Sequence, residues 1–191
     1  MRWSRLLGWR CGLASAAIAS TLAACGTAPA KAIKGATPPQ ATATAGSPVA
    51  LGVTSSDATG GRWLSAVTCD GGGNVPDLHW TTGPRGTASY ALQFFDTDAP
   101  QGGFTHWILA NESPDARAPV PGTGVSGRND FGNEGYGAPC PPPGHTHRYV
   151  FTIYALDQML SLKPLYSHGE LQQALQGHVL AQADLSASYS R

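Results

Sequence analysis

The stretch from Glu112 to Thr146 is dense in glycine and proline, and runs of β-prone residues lie on either side of it. Proline removes a backbone donor and fixes φ, and glycine raises the entropic cost of order, so neither a helix nor an inner strand can pass through such a segment. Loops of that length inside a compact domain are either functional or disordered. The chain is therefore confined to short strands held around one large irregular loop.

Four segments have strand character. Ser89–Phe95 is a β-prone run ending at Asp96, His106–Ala110 is a second closed by Asn111 and Pro114, and Arg148–Leu156 is a third. In the fourth, Val179, Ala181, Ala183, Leu185 and Ala187 alternate with polar residues, the period of a strand buried on one face. One helix is marked. Ser167 and Glu170 have capping-box spacing, Leu171, Ala174 and Leu175 share a face, and Gly177 stands where a helix ends. The expected architecture is mainly β: an antiparallel β-sandwich with a peripheral C-terminal helix and long Gly/Pro-rich loops.

Charge narrows the partners. With 12 basic and 12 acidic residues the chain has no positive excess to hold a phosphate backbone, so nucleic acid is excluded as an expected partner. At 13% charged residues it is also too weakly charged for a coiled coil.

The N-terminus reads as an address. Arg2, Arg5 and Arg10 precede the small apolar run Leu13–Ala24, the layout of a signal peptide, and that run is too short to span a bilayer as a helix. Leu22-Ala23-Ala24-Cys25-Gly26 resembles the bacterial lipobox, whose cysteine is lipidated and becomes the new N-terminus. The expected organisation is a leader over 1–24, a lipidated Cys25 with a flexible Ala/Thr/Pro/Gly tether to residue 48, and a folded domain over 49–191. Loss of the leader removes three positive charges and leaves a mildly acidic protein held at the cell envelope through its acyl chains. No apolar run after Cys25 is long enough to cross a membrane. Cys69 and Cys140 then remain in an oxidising space, where they can form a disulfide; two small buried thiols would look the same in sequence.

Polar residues gather at strand ends: Asp96-Thr97-Asp98-Ala99-Pro100, Thr105-His106-Trp107 and Gly144-His145-Thr146-His147-Arg148-Tyr149. If three strand ends meet at one edge, their imidazoles can donate to an anion while carboxylates fix the tautomers. His145 is expected in solvent, Trp107 in the core, and Arg148 on the opposite strand face from Tyr149, in a structural ion pair.

These segments, with Thr68-Cys69-Asp70-Gly71-Gly72, Asn129-Asp130-Phe131-Gly132 and Gly135–Pro142, resemble in order the phosphatidylethanolamine-binding protein family in its bacterial Raf-kinase-inhibitor-like branch. The resemblance runs from about Leu51 to the C-terminus. It implies a shallow pocket for phosphate or a phospholipid head group, with no cofactor, no metal and no catalysis. Asp96, His106, His147 and Tyr149 look like its polar lining, Asp98 and Pro100 its wall, and Tyr136 and Gly137–Pro142, including Pro139, its rim. It also suggests a role as a kinase- or protease-inhibiting regulator of an unnamed protein partner. Two positions depart from the pattern. Thr97 replaces a usual proline, which is expected to loosen that loop, and the Asn74–Trp80 segment containing His79 is one residue short.

Two other readings are weaker. Gly122–Gly127 fits a dinucleotide-binding pattern but follows Pro119 and Pro121 and opens no helix. His145 and His147 could serve with His106 and a carboxylate as metal ligands of a cupin-like enzyme, yet Phe151 and Thr152 stand where such a site wants a glutamate.

Overall fold

The computed structural model describes residues 50–191. The leader, Cys25, the tether and Val49 lie outside the described residues. In chain order the elements are β1 (Val53–Ser55), β2 (Ala58–Thr59), β3 (Arg62–Trp63), a 3-10 turn (Ser65–Val67), β4 (Leu78–Trp80) and β5 (Ser89–Asp96). A second 3-10 turn (Pro100–Gly102), β6 (Phe104–Glu112), β7 (Val125–Ser126), β8 (Thr146–Leu156), α1 (His168–Leu175) and β9 (Val179–Ser190) complete the fold.

The fold is mainly β with one helix, as the sequence pattern indicates. Seven strands form one sheet in the order β2-β3-β9-β8-β5-β6-β7, and β1 pairs with β4 in a small second sheet. All pairs are antiparallel except β3 with β9, which meet in parallel at Arg62 and Ser188. The second layer of the sandwich is thus thin, two strands supplemented by loops.

The central strands are covered on both faces. Tyr90, Leu92, Phe94, Trp107, Tyr149 and Phe151 pack against Leu51, Trp63, Val67, Leu78 and Trp80. On the reverse face Ala91, Ile108, Ala110, Tyr154 and Leu156 pack against Leu160, Tyr166, Leu171 and Leu175. Double coverage explains why β5 and β8 read as continuous apolar runs, whereas β9 alternates because only one of its faces meets a core.

The helix is more than trim, since Leu171 and Leu175 close the second core. Its start is fixed reciprocally: Ser167 Oγ accepts from the Glu170 amide, and the Glu170 carboxylate accepts from the Ser167 amide. Gly177, at φ 80°, turns the chain into β9. Between β6 and β8 the Gly/Pro-rich stretch contains only β7 and an isolated bridge between Arg128 and Glu134.

Candidate functional site

Strand periodicity delivers the first three polar residues. Asp96 lies two positions beyond Phe94 on β5, His147 and Tyr149 precede Phe151 on β8 at the same interval, and Asp96 is the cross-strand partner of Tyr149. All three therefore continue the face of the first core to its end. His106 arrives differently. On β6, Trp107 pairs with Phe94 and Thr105 with Phe95, so His106 is an extra residue, a β-bulge. The bulge turns its imidazole onto the face that strict alternation would deny it. The ring centroid lies 5.5 Å from Phe94 and 5.3 Å from Tyr149.

Asp96 organises the end of the sheet. One carboxylate oxygen accepts from the amides of Asp98 (2.9 Å) and Ala99 (3.1 Å), and the other accepts from His147 Nδ1 at 2.7 Å. With Nδ1 donating, the free nitrogen of His147 is Nε2. His106 is fixed by backbone instead of carboxylate: Nδ1 donates to the Gly137 carbonyl at 2.8 Å, while the Gly137 amide donates to the His106 carbonyl at 2.8 Å. A Cβ at position 137 would meet the Phe131 ring at 2.6 Å, so any residue larger than glycine would push that ring away from its place beside His106.

Burial lowers the His106 pKa, outweighing the opposite pull of the Gly137 carbonyl and of the Asp96 and Asp130 carboxylates. The ring is neutral at pH 7 and offers an Nε2 lone pair. Burial, reinforced by the Asp96 charge, raises the Tyr149 pKa far above that of a free phenol. Its buried hydroxyl lies beside Asp96 yet has no hydrogen-bond partner of ordinary geometry among the described residues. The two imidazoles and the buried Tyr149 phenol thus gather at the polar end of an aromatic core.

The sequence profile of the phosphatidylethanolamine-binding proteins matches residues 54–190. The chain belongs to this family. A UPF0098 protein of Methanothermobacter thermautotrophicus is 43% identical over 140 residues, 69% of this chain and 92% of the relative. YbhB of Escherichia coli is 35% identical over 133 residues, 63% of this chain and 84% of YbhB. Among solved structures, the homolog CT736 of Chlamydia trachomatis superimposes with a TM-score of 0.69 at 35% identity, covering 74% of this chain and 98% of CT736. YbcL of E. coli, described as a member of the mammalian PEBP family, gives 0.69 at 29% identity, covering 75% and 99%.

Around this end of the sheet the remaining residues act mostly as scaffold. Asp98 is exposed, and its carboxylate accepts from the Arg148 amide at 2.8 Å, locking the β5 turn to β8. Pro100, also exposed, opens the 3-10 turn. Thr97 does not loosen the loop: its amide and hydroxyl both donate to the Arg148 carbonyl, at 2.9 and 3.2 Å, and a proline there would forfeit the first bond. Arg148 makes no ion pair among the described residues, so the expected side-chain bridge gives way to these backbone contacts. His79 is exposed and bonded to Asp77 at 2.7 Å.

The rim is tied down. The Tyr136 hydroxyl donates to the Val67 carbonyl at 2.6 Å, which leaves its ring, not its oxygen, for any ligand. Pro139 is buried, and its carbonyl accepts from the Cys69 amide. A disulfide joins Cys69 to Cys140 across 71 residues, and both cysteines are exposed, unlike buried free thiols. His145 is exposed and precedes β8, whereas His147 is turned to Asp96. Among the described residues no group of three His, Cys, Asp or Glu side chains has the geometry to hold a metal, and nothing supports a cupin-like site.

The sequence motifs place Gly137 at the rim but do not indicate its clamp on His106, and they assign no role to Phe131 or Asn129. Phe131 is 50% exposed and stands edge-on to His106 and Phe104. Buried Asn129 shapes its loop, accepting from the Phe131 and Asn133 amides and donating to the Gly135 carbonyl.

Proposed function

We propose that this domain is a non-enzymatic binding module for phosphate or a phosphate-bearing head group, held at a membrane by acyl chains on Cys25. The observation that carries the reading is the meeting of Asp96, His106, His147 and Tyr149 at one end of the sheet, with the Nε2 atoms of both histidines free of hydrogen bonds within the described residues. The Asp96–His147 pair could serve a hydrolase, but among the described residues no hydroxyl or thiol side chain bonds its Nε2, which favours binding over catalysis. Charge-assisted hydrogen bonds of about 1.5–3 kcal/mol each, reduced by association costs, give a dissociation constant for free phosphate of roughly micromolar to millimolar size.

Binding should take up a proton. His106 Nε2 is a lone pair at neutral pH, so it meets phosphate either as imidazolium against the dianion or as imidazole against a protonated phosphate oxygen. Both routes hold one proton more than neutral imidazole plus the phosphate dianion, so affinity rises as pH falls from the alkaline side toward neutral and weakens as pH rises. NMR titration with inorganic phosphate at pH 6 and pH 8, with His147→Ala as control, checks this. Unmoved resonances of His106, His147 and Tyr149 at millimolar phosphate would remove the reading.

The anchor has its own test. Intact-mass analysis of membrane-extracted wild type should show acyl mass, and Cys25→Ser should lack it and appear in the soluble fraction. An unacylated wild type would contradict the tether.

A further inference from the structure

The two sulfurs of the Cys69–Cys140 bridge stand in opposite electrostatic surroundings. Both cysteines are exposed, the setting of exchangeable bridges rather than inert ones. On one side Arg191 Nη1 lies 3.5 Å from the Cys140 sulfur. That guanidinium is held in place. Its Nε pairs with Asp70 Oδ1 at 3.1 Å, and the other Asp70 oxygen accepts from the Tyr189 hydroxyl at 2.7 Å. The Arg191 backbone is fixed as well, since its amide donates to the His145 carbonyl and its carbonyl accepts from the Gly144 amide. On the other side Cys69 is followed directly by Asp70, whose carboxylate opposes negative charge on the neighbouring sulfur.

In thiol–disulfide exchange the departing sulfur must carry the negative charge. Arg191 stabilises that charge on Cys140, and Asp70 disfavours it on Cys69. We propose that Cys69 is a reversible capture site for a small thiol, with Cys140 as the leaving group. The incoming thiolate attacks Cys69 Sγ and forms a new S–S bond there. The Cys69–Cys140 bond breaks, and its electron pair departs on Cys140 as a thiolate beside Arg191. One disulfide replaces another, so no outside oxidant or reductant takes part. Return is built in: the Cys69 amide stays bonded to the Pro139 carbonyl and Tyr136 to the Val67 carbonyl, which keeps the Cys140 thiolate near the adduct. When free thiol is withdrawn, that thiolate attacks Cys69 and expels the captured molecule.

Treating the purified full chain with 2-mercaptoethanol at pH 8 without denaturant tests this. Samples are quenched in acid, capped with N-ethylmaleimide, digested with pepsin and mapped by mass spectrometry. Early samples should carry the mercaptoethanol on Cys69 and the cap on Cys140, by about fivefold or more over the reverse arrangement. Arg191→Gln should slow opening by about three- to tenfold and even out the two adducts. Small additions of urea should leave the rate unchanged, as expected of a reaction of the folded domain. Equal labelling of the two cysteines in wild type would overturn the proposal, as would a rate and a preference unaltered in Arg191→Gln. So would an opening rate that climbs from the first addition of urea, because the bridge would then react only in unfolded chains.

Discussion

Asp96→Ala should destabilise the domain by about 3–5 kcal/mol. Three donors lose their acceptor at once: the Asp98 and Ala99 amides and His147 Nδ1. Asp96 is only 3% exposed, so its loss also leaves a gap against Tyr149. The two amides stand next to exposed positions and recover water, which places the effect toward the lower end of the range. Asp96→Asn is the more telling variant. Its remaining oxygen can serve the turn amides, but an amide group then faces His147 and forces that ring to accept at Nδ1 and carry its proton on Nε2. Stability should fall by about half as much, and the ¹⁵N shifts of His147 should report the reversed tautomer. Urea unfolding midpoints measure the first effect. An alanine variant within about 1 kcal/mol of the parent would show that the carboxylate does not hold the sheet end together.

Removing the Cys69–Cys140 bridge should be comparably costly. The closed loop spans 71 residues, and the chain-entropy account of a cross-link that long gives about 4 kcal/mol. For a domain of this size that corresponds to a melting temperature lower by roughly 10–15 °C in Cys69→Ala/Cys140→Ala, read by calorimetry. The bridge does not act alone, because the Cys69 amide bonds the Pro139 carbonyl and Tyr136 bonds Val67 across the same seam. Those contacts keep the rim near His106 after the bridge is gone, so the variant should unfold earlier and yet retain its phosphate-induced shifts at His147. A double variant as stable as wild type would mean that the cross-link removes no entropy from the unfolded chain, against the chain-entropy account.

What could be read from residues alone follows from where local rules suffice. The capping box at Ser167 and Glu170 and the alternation of β9 are local signals, and both elements are present. Asp96, His147 and Tyr149 were legible for the same reason, since period two carries a strand's face to its last residue. His106 was legible only through its motif: by alternation it should share the reverse face with Ile108, and a bulge set by the pairing of β5 with β6 moves it. The Gly137 clamp, Phe131 and the backbone role of Arg148 depend on contacts between segments far apart in the chain, which no periodicity encodes.

The sheet order has a consequence for how the molecule is made. Between β2–β3 and the block β8-β5-β6-β7 sits β9, the last of the strands in chain order among the described residues. Until β9 has emerged from synthesis, β2–β3 and that block share no hydrogen-bonded edge, and β8 lacks one of its two neighbours. The nascent polypeptide must therefore wait, largely unfinished, for β9, and deletion of Val179–Ser190 would leave two fragments of sheet with exposed borders where one domain should be.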